Sequence, residues 1–167
     1  ANEHDLWIIE DACHAPGGYF IDSHKEKQMC GNGSYADIGV FSFHPVKHIA
    51  CGEGGMITTN SKELYEKIKL LRSHGITKDH MVENHGGWFY EMQELGFNYR
   101  LTDIQSALGI TQLAKNKNGV IRRNEIARTY KDAFKNRIKY QSLPELTLNA
   151  HHLFIIEVED REGLYNY

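Results

Sequence analysis

Lys47 is the residue of this chain whose neighbours most suggest catalytic chemistry. Ser42 lies five residues before it, and the glycine-rich segment 52–55 follows shortly after it. Far upstream, Asp11 ends an apolar run typical of a buried strand. An amine, a hydroxyl and a strand-terminal carboxylate are the groups that pyridoxal phosphate needs for its aldehyde, its phosphate and its pyridine nitrogen. The order and spacing of these residues therefore predict a site for that cofactor.

Each of these residues also has a simpler explanation, as a surface lysine, a capping aspartate or an ordinary strand serine. In the cofactor interpretation, Lys47 would form an imine with the aldehyde and then, as a free amine, carry a proton between carbon atoms. Asp11 would keep the pyridine nitrogen protonated, so that the ring can accept electrons. Segment 52–55 lacks the pattern of a phosphate-binding loop, and it predicts a tight turn beside the pocket.

The apolar pattern predicts strands and helices that alternate along the chain. Short apolar runs predict strands, the first of them buried in a parallel sheet, at residues 6–9, 38–43, 56–59 and 153–158. Ser61 and Gly75 are suitable caps for a helix over 62–74. Thr102 and Gln105 form a capping box that opens another helix. This interleaving predicts an α/β fold.

Three other segments complete the expected organisation. Residues 22–34 are polar and contain glycine, and residues 76–98 lack a clear period, so both are predicted to be surface loops. The second of these loops is long and contains several aromatic residues, and long loops in compact domains tend to carry function. Apolar residues over 126–134 predict a further helical face.

Composition limits the possible functions. With 167 residues, 41% of them hydrophobic, the chain can bury one domain's core, and its formal net charge of −3 gives no sign of nucleic-acid binding. It has no run of about 18 apolar residues that would predict a membrane span. The three cysteines are widely spaced, which favours free thiols in a reducing cytoplasm. The ten histidines form no H-E-x-x-H motif, and Pro45 disfavours a helix that would bring His44 and His48 onto one face, so no metal site is predicted.

The ends of the chain predict that it is a fragment. It begins without Met, its first predicted strand starts almost at once, and it stops soon after its last one. We therefore expect an N-terminal part to be missing and this piece to be inactive by itself.

The chain resembles the DegT/DnrJ/EryC1/StrS family of sugar aminotransferases in four ordered segments. These read EDACHA at 10–15, FSFHPVK at 41–47, GEGGM at 52–56 and LGFNYRLTDIQ at 95–105. The resemblance covers essentially the whole chain. Within the family, the segment WFYEMQ at 88–93 is most similar to the branch that aminates C4 of a UDP-linked 4-keto-6-deoxy-N-acetylhexosamine on the route to pseudaminic acid.

The resemblance implies a fold-type-I, aspartate aminotransferase-like large domain with a mostly parallel sheet, followed by the start of a small C-terminal α/β domain. Residues 1–118 would form the C-terminal half of the cofactor-binding large domain. Residues 119–167 would form the connecting helix and the beginning of the small domain. Segment 152–154, HLF, resembles the family's His-Leu-Tyr signature near the start of that domain.

The resemblance also implies a role for each of five residues. Lys47 would be the catalytic, imine-forming lysine, Asp11 would pair with the pyridine nitrogen, and His14 would lie beside the cofactor ring. Ser42 would bind the phosphate. Asn98 would reach the phosphate of the neighbouring subunit's cofactor, which implies a homodimer with shared active sites.

These roles predict an enzyme that moves an amino group from glutamate to C4 of a nucleotide-linked 4-keto-6-deoxy sugar derived from UDP-N-acetylhexosamine. Two alternatives stay open. One is another sugar aminotransferase of the family, acting at C3 or on a dTDP-sugar; the other is a non-catalytic scaffold or sensor that keeps the fold. Relatives that dehydrate sugars carry histidine in place of Lys47. A scaffold predicts the loss of Asp11, Ser42 or Lys47, and none of them is lost.

Overall fold

The computed structural model describes residues 1–78, 85–135 and 137–167. Its helices are a 3-10 turn at Asn2–His4, α1 at Lys62–Arg72, α2 at Asp103–Ala133 and α3 at Arg161–Asn166. Its strands are β1 Ile9–Asp11, β2 Tyr19–Ile21, β3 Lys27–Met29, β4 Ile38–Ser42, β5 Gly55–Thr58, β6 Ile76–Thr77, β7 Glu91–Met92, β8 Lys139–Tyr140, β9 Thr147–Leu148 and β10 Ile156–Glu157.

The central sheet has the strand order β1-β4-β5. β1 runs parallel to β4, with Ile9 opposite Ile38, and β5 runs antiparallel to β4, with Ser42 opposite Gly55. The described part of the sheet is therefore mixed, where the sequence predicted a mostly parallel one. The reason is the connection 43–54, which contains no helix to carry the chain across the sheet, so that β5 returns beside β4 as a hairpin partner.

The first strand is displaced from its predicted position. The buried strand predicted over 6–9 is instead Ile9–Asp11, and Trp7 is 68% exposed. The amide of Ile8 donates to the Asp37 carboxylate at 2.7 Å, so it is not available for the strand ladder. The prediction is therefore wrong in both the position and the burial of this strand, because an apolar run shows neither which amides pair nor which face is covered.

Both predicted loops contain short antiparallel strands. Within 22–34, β3 pairs with β2, and the Asp22 carboxylate closes the turn between them by accepting the amide of Glu26 at 2.9 Å. Within 76–98, β6 pairs with β7. Residues 79–84 of that predicted loop lie outside the described residues. The prediction of loops is wrong at these strands, because two- and three-residue polar strands leave no apolar run in the sequence.

The other predicted elements begin and end near their expected positions. β4 and β5 each lie within one residue of the predicted bounds. The Ser61 hydroxyl caps α1 by accepting the Leu64 amide at 3.3 Å, and the helix ends at Arg72, two residues early. The final predicted strand, 153–158, is reduced to Ile156–Glu157, which pairs with β8.

Helix α2 is longer than the sequence predicted. Thr102 and Gln105 form the expected capping box at its start, and the helix continues without interruption to Ala133. The helical face predicted over 126–134 therefore belongs to the same helix. The domain boundary predicted at 118/119 falls inside it, and that division stays a prediction. Among the described residues, no helix combines the length and the apolar character needed to cross a bilayer.

The main core cluster lies beneath the loop that carries Lys47. Its buried members come from both ends of that loop, and partly buried side chains from β4 and from the entrance to α2 pack against them. The buried members are Phe43, Ile49 and Cys51, and the flanking ones are Phe41 and Leu101. Because the loop begins and ends in this cluster, burial of apolar area fixes its position.

Candidate active site

Lys47 lies on a closed loop at the carboxyl end of β4. The Phe43 amide donates to the Gly54 carbonyl at 2.8 Å, and the Cys51 amide donates to the Phe43 carbonyl at 3.0 Å, so the two ends of the loop are joined. A turn within it is closed by the Lys47 amide, which donates to the His44 carbonyl at 2.9 Å. The Lys47 side chain is half-buried. These bonds hold the backbone of Lys47 at a defined part of the sheet edge.

Asp11 lies at the same edge of the sheet. It is the last residue of β1 and is opposite Val40 of the neighbouring parallel strand. The amide of Ala12 continues the pairing by donating to the Val40 carbonyl at 2.9 Å. Parallel strands end on the same side of a sheet, so the carboxylate and the Lys47 loop share the edge where α/β folds bind ligands.

The Asp11 carboxyl group is ionised at neutral pH. Hydrogen bonds from the Cys13 side chain and from the Cys13 amide, the latter at 3.0 Å, hold its pKa below the usual value. Electrostatic interactions with His14 and Lys47 lower the pKa further. A carboxylate that is stabilised in its charged form is suited to pair with a protonated ring nitrogen.

His14 connects the turn after β1 to the lysine. Its Nε2 atom is in hydrogen-bond contact with the Lys47 Nζ atom. The turn that carries His14 is closed by the Ala15 amide, which donates to the Ala12 carbonyl at 3.0 Å. The structure therefore brings together Asp11, His14 and Lys47, which lie far apart in the sequence.

Two further histidines extend this cluster, and the sequence analysis assigned neither of them a role at the site. The His152 ring lies 4.2 Å from the His14 ring and 5.4 Å from the His48 ring, measured between centroids. The pKa of His152 is lowered to about 4, first by burial and then by the charges of His14, Lys47 and His48. Burial also lowers the pKa of His48. The only sequence signal for His152 was its place in the HLF segment, which does not reveal what it contacts.

Ser42 lies at the same sheet edge as the cluster. It is the last residue of β4, and its Oγ atom accepts the His44 amide at 3.4 Å, which orients the hydroxyl toward the start of the Lys47 loop. The side chain is half-buried. Its position is compatible with the phosphate-binding role that the sequence predicts.

Asn98 makes its contacts outside the Lys47 cluster. Its Oδ1 atom accepts Arg100 Nε at 3.1 Å, and its backbone forms an isolated bridge with Ser73, after α1. Asn98 is exposed, and these contacts do not connect it to Lys47 within one chain. The role predicted for it requires a second subunit and stays a prediction.

His44 and His48 have separate partners. His44 Nε2 lies 3.8 Å from a carboxylate oxygen of Glu53, whereas His48 Nε2 hydrogen-bonds the Ala150 carbonyl at 2.9 Å. In residues 1–78, 85–135 and 137–167, no three His, Cys, Asp or Glu side chains are arranged to hold a metal ion.

The side chains at this edge fit pyridoxal phosphate. An ionised carboxylate, an amine and a hydroxyl come from the ends of two adjacent strands and the loop that follows the second. The buried Nδ1 atoms of His48 and His152 have no hydrogen-bond partner among the described residues. Unsatisfied buried polar atoms are rare in folded proteins, and a catalytic role is one of the explanations for them.

Comparison with known proteins identifies the family. The model of the DegT/DnrJ/EryC1/StrS aminotransferase family matches residues 1–166. The chain belongs to this family. Pyridoxal phosphate is the family's cofactor, and the fold is fold type I, so the predicted family, fold class and cofactor are confirmed.

Relatives in this family include enzymes that act on nucleotide sugars. The chain is 40% identical over 158 residues to the UDP-4-amino-4,6-dideoxy-N-acetyl-beta-L-altrosamine transaminase of Campylobacter jejuni, which covers 93% of this chain and 39% of that protein. It is 38% identical over 156 residues to the Helicobacter pylori transaminase of the same name, covering 92% of this chain and 38% of that protein. The chain spans about two fifths of the length of the curated relatives it matches.

Solved structures of family members have the same fold. Helicobacter pylori PseC, an aminotransferase involved in the biosynthesis of pseudoaminic acid, superposes with a TM-score of 0.76 at 34% identity, covering 99% of this chain and 41% of that one. A family member from Brucella abortus superposes with a TM-score of 0.82 at 33% identity, covering 98% and 40%. The PLP-form of Spr1654 from Streptococcus pneumoniae gives a TM-score of 0.78 at 30% identity, covering 92% and 38%.

Proposed function

We propose that this chain carries the catalytic lysine of an aminotransferase that moves an amino group from glutamate to C4 of a UDP-linked 4-keto-6-deoxy-N-acetylhexosamine. The observation that carries the proposal is the contact between Lys47 and His14 at the sheet edge where Asp11 ends β1. The C4 position and the UDP-sugar are supported by the names of the Campylobacter and Helicobacter relatives. Within the proposal, residues 1–118 belong to the large domain and residues 119–167 begin the small one.

Each residue at the sheet edge has a defined part in this reaction. When bound, pyridoxal phosphate supplies a ring that accepts electrons and an aldehyde that holds the amino group in transit. The Asp11 carboxylate holds a proton on the ring nitrogen. The Lys47 Nζ atom takes a proton from the donor's carbon and returns one to the acceptor's carbon, while His14 Nε2 holds the amine in place between the two transfers. The Ser42 hydroxyl binds a phosphate oxygen.

The assembly and cellular location are part of the same proposal. Asn98 is exposed and makes its contacts outside the Lys47 cluster, which suits a residue that completes the site of a second subunit in a homodimer. Cys13, Cys30 and Cys51 are free thiols, which suits a reducing cytoplasm.

Lys47→Ala in the complete gene product tests the proposal. We expect the variant to retain its fold and lose amino transfer from glutamate to the UDP-4-keto sugar by at least about 10⁴-fold, because the lysine supplies both the covalent link and the proton transfer. Lys62→Ala, at the exposed first residue of α1, is the matched control and should keep full activity. Product is measured by mass spectrometry.

The same assay separates the alternatives. A 3-keto sugar or a dTDP-sugar is offered in parallel, and faster turnover of either would assign the enzyme to another branch of the family. If the wild-type protein binds the cofactor yet transfers no amino group to any of these sugars, the scaffold interpretation replaces the enzymatic one.

A further inference from the structure

Segment 149–152 is held against helix α2 by side chains of two adjacent helical residues. Asn124 Nδ2 donates to the Asn149 carbonyl at 2.9 Å, and Arg123 Nη1 donates to the His151 carbonyl at 3.1 Å. The segment is closed on itself by the His151 amide, which donates to Asn149 Oδ1 at 2.7 Å. His151 has a φ of 50°, in the left-handed region that a residue with a side chain rarely adopts. Such a conformation persists only where the surroundings fix it.

The consequence of this clamp is the place of the next residue, His152. Its ring lies between the His14 and His48 rings, with interplanar angles of 42° and 49°. His48 is itself fixed, because its Nε2 atom hydrogen-bonds the carbonyl of Ala150 in the same clamped segment. A carbonyl can only accept, so this nitrogen of His48 carries the hydrogen.

The His14 ring is therefore held by two contacts. Its Nε2 atom contacts Lys47 Nζ, and its ring packs against the tilted ring of His152. The groups that face His152 are His14, Lys47, His48 and Arg123, which are all basic. An uncharged ring at this position can support His14 without adding a second positive charge beside the Lys47 amine. The low pKa of His152 is consistent with this state.

We propose that His152 is a positioning residue of the active site, whose ring sets the orientation of His14 and, through His14, the place of the Lys47 amine. The proposal rests on the proposed function, because that function makes Lys47 the reacting amine. It extends the site to a segment more than 100 residues away from Lys47 in the sequence, and it gives helix α2 the task of holding that segment.

The test compares His152→Ala with His152→Phe in the complete gene product. Phenylalanine keeps an aromatic ring against which His14 can pack, whereas alanine removes it. The first readout is the pH midpoint of the visible absorbance of the bound cofactor, which follows the state of the Lys47 nitrogen. We expect a shift of about one pH unit in His152→Ala and a midpoint near wild type in His152→Phe.

The second readout separates positioning from a general loss of structure. His152→Ala should lower kcat roughly 10- to 100-fold, as expected for a small displacement of a reacting group, with little change in the KM for the sugar. His24→Ala, an exposed histidine in the β2–β3 turn, is the matched control and should change neither value. Asn124→Ala removes one of the two hydrogen bonds from α2 to the segment and should shift the midpoint in the same direction by a smaller amount. It serves as the test if His152→Ala does not fold.

Unchanged midpoints in His152→Ala and Asn124→Ala would overturn the proposal. So would a His152→Phe variant as impaired as His152→Ala, since the nitrogen atoms of His152 rather than its ring would then be needed. A failure of the proposed function gives a different result. In that case the wild-type protein transfers no amino group, but the absorbance of its bound cofactor still titrates with pH. If no cofactor binds, the ring NMR signals of His14 in the cofactor-free protein report the same contact and should titrate differently in His152→Ala but not in His152→Phe.

Discussion

Acidification should weaken this fold through His152. In the folded chain its pKa is held near 4 by burial and by the neighbouring positive charges, whereas in the unfolded chain it titrates near 6.5. Between these values the unfolded state binds more protons than the folded state does. The free energy of unfolding therefore rises with pH in this range, and the stability that the neutral ring contributes above pH 6.5 is lost as the pH falls toward 4.

The size of the loss follows from the two pKa values. A difference from 6.5 to about 4 corresponds to about 3 kcal/mol in full, of which about 2 kcal/mol would be lost by pH 5. The His152 ring is only partly buried, so solvent screening reduces this figure, and we expect a loss of about 1–2 kcal/mol at pH 5. His48, whose pKa is also lowered by burial, contributes in the same direction.

Urea unfolding of the cofactor-free gene product at pH 7.5 and pH 5 measures this loss. His152→Phe removes the titrating group and keeps a ring, so its unfolding free energy should fall by about 1–2 kcal/mol less than that of the wild type over the same interval. His24→Phe, at an exposed position, should behave as the wild type does. If the wild type and His152→Phe lose the same amount, His152 is not held neutral by the fold and the reasoning fails.

Three further predictions concern the residues at the sheet edge and the strands that carry them. Asp11→Asn should slow the half-reaction with glutamate by at least about 100-fold while cofactor affinity changes much less, because an amide cannot hold the proton on the ring nitrogen. Stopped-flow absorbance measures this rate, and a near-normal rate would show that Asp11 does not have this role. Mixing inactive Lys47→Ala and Asn98→Ala subunits should restore part of the activity, whereas a fully active monomer in light scattering would contradict a shared site. Gly39→Ala should lower the free energy of unfolding in denaturant by roughly 2–4 kcal/mol, because the new Cβ atom would lie 2.9 Å from a backbone atom. Gly119→Ala, which has open space around it on α2, should raise that free energy by about 0.5–1 kcal/mol. Equal effects of the two substitutions would show that no backbone approaches β4 closely at Gly39.

The sequence was sufficient to predict the residues on the strand ends. Asp11 and Lys47 each follow an apolar run, and ligands of α/β sheets bind at the carboxyl ends of the strands, so the pattern predicted a shared site even though the first strand was misplaced. The capping box at Thr102 and Gln105 is local and was equally readable. Local hydrogen bonds and strand-end geometry depend on few residues, which is why they can be predicted.

The parts that the sequence did not predict depend on distant contacts. The contact of the His152 ring with the His14 ring depends on hydrogen bonds from α2 to segment 149–152, and no short sequence pattern encodes such a clamp. The first strand was misplaced because the Asp37 carboxylate takes the Ile8 amide. The strand β3 was missed because side-chain bonds to Asp22, rather than apolar residues, define its turn.

Helix α2 contacts the surroundings of the site at three levels along its length. Gln105 Nε2 donates to the Glu53 carbonyl beside the Lys47 loop at 2.9 Å, and Asn116 Nδ2 donates to the Pro16 carbonyl after the His14 turn at 3.1 Å. Arg123 then holds the segment of His152. In an α-helix, one inserted or deleted residue turns everything beyond it by about 100° and moves it by about 1.5 Å along the axis. The stretch between Gln105 and Arg123 can therefore accept substitutions on its exposed face but no change of length.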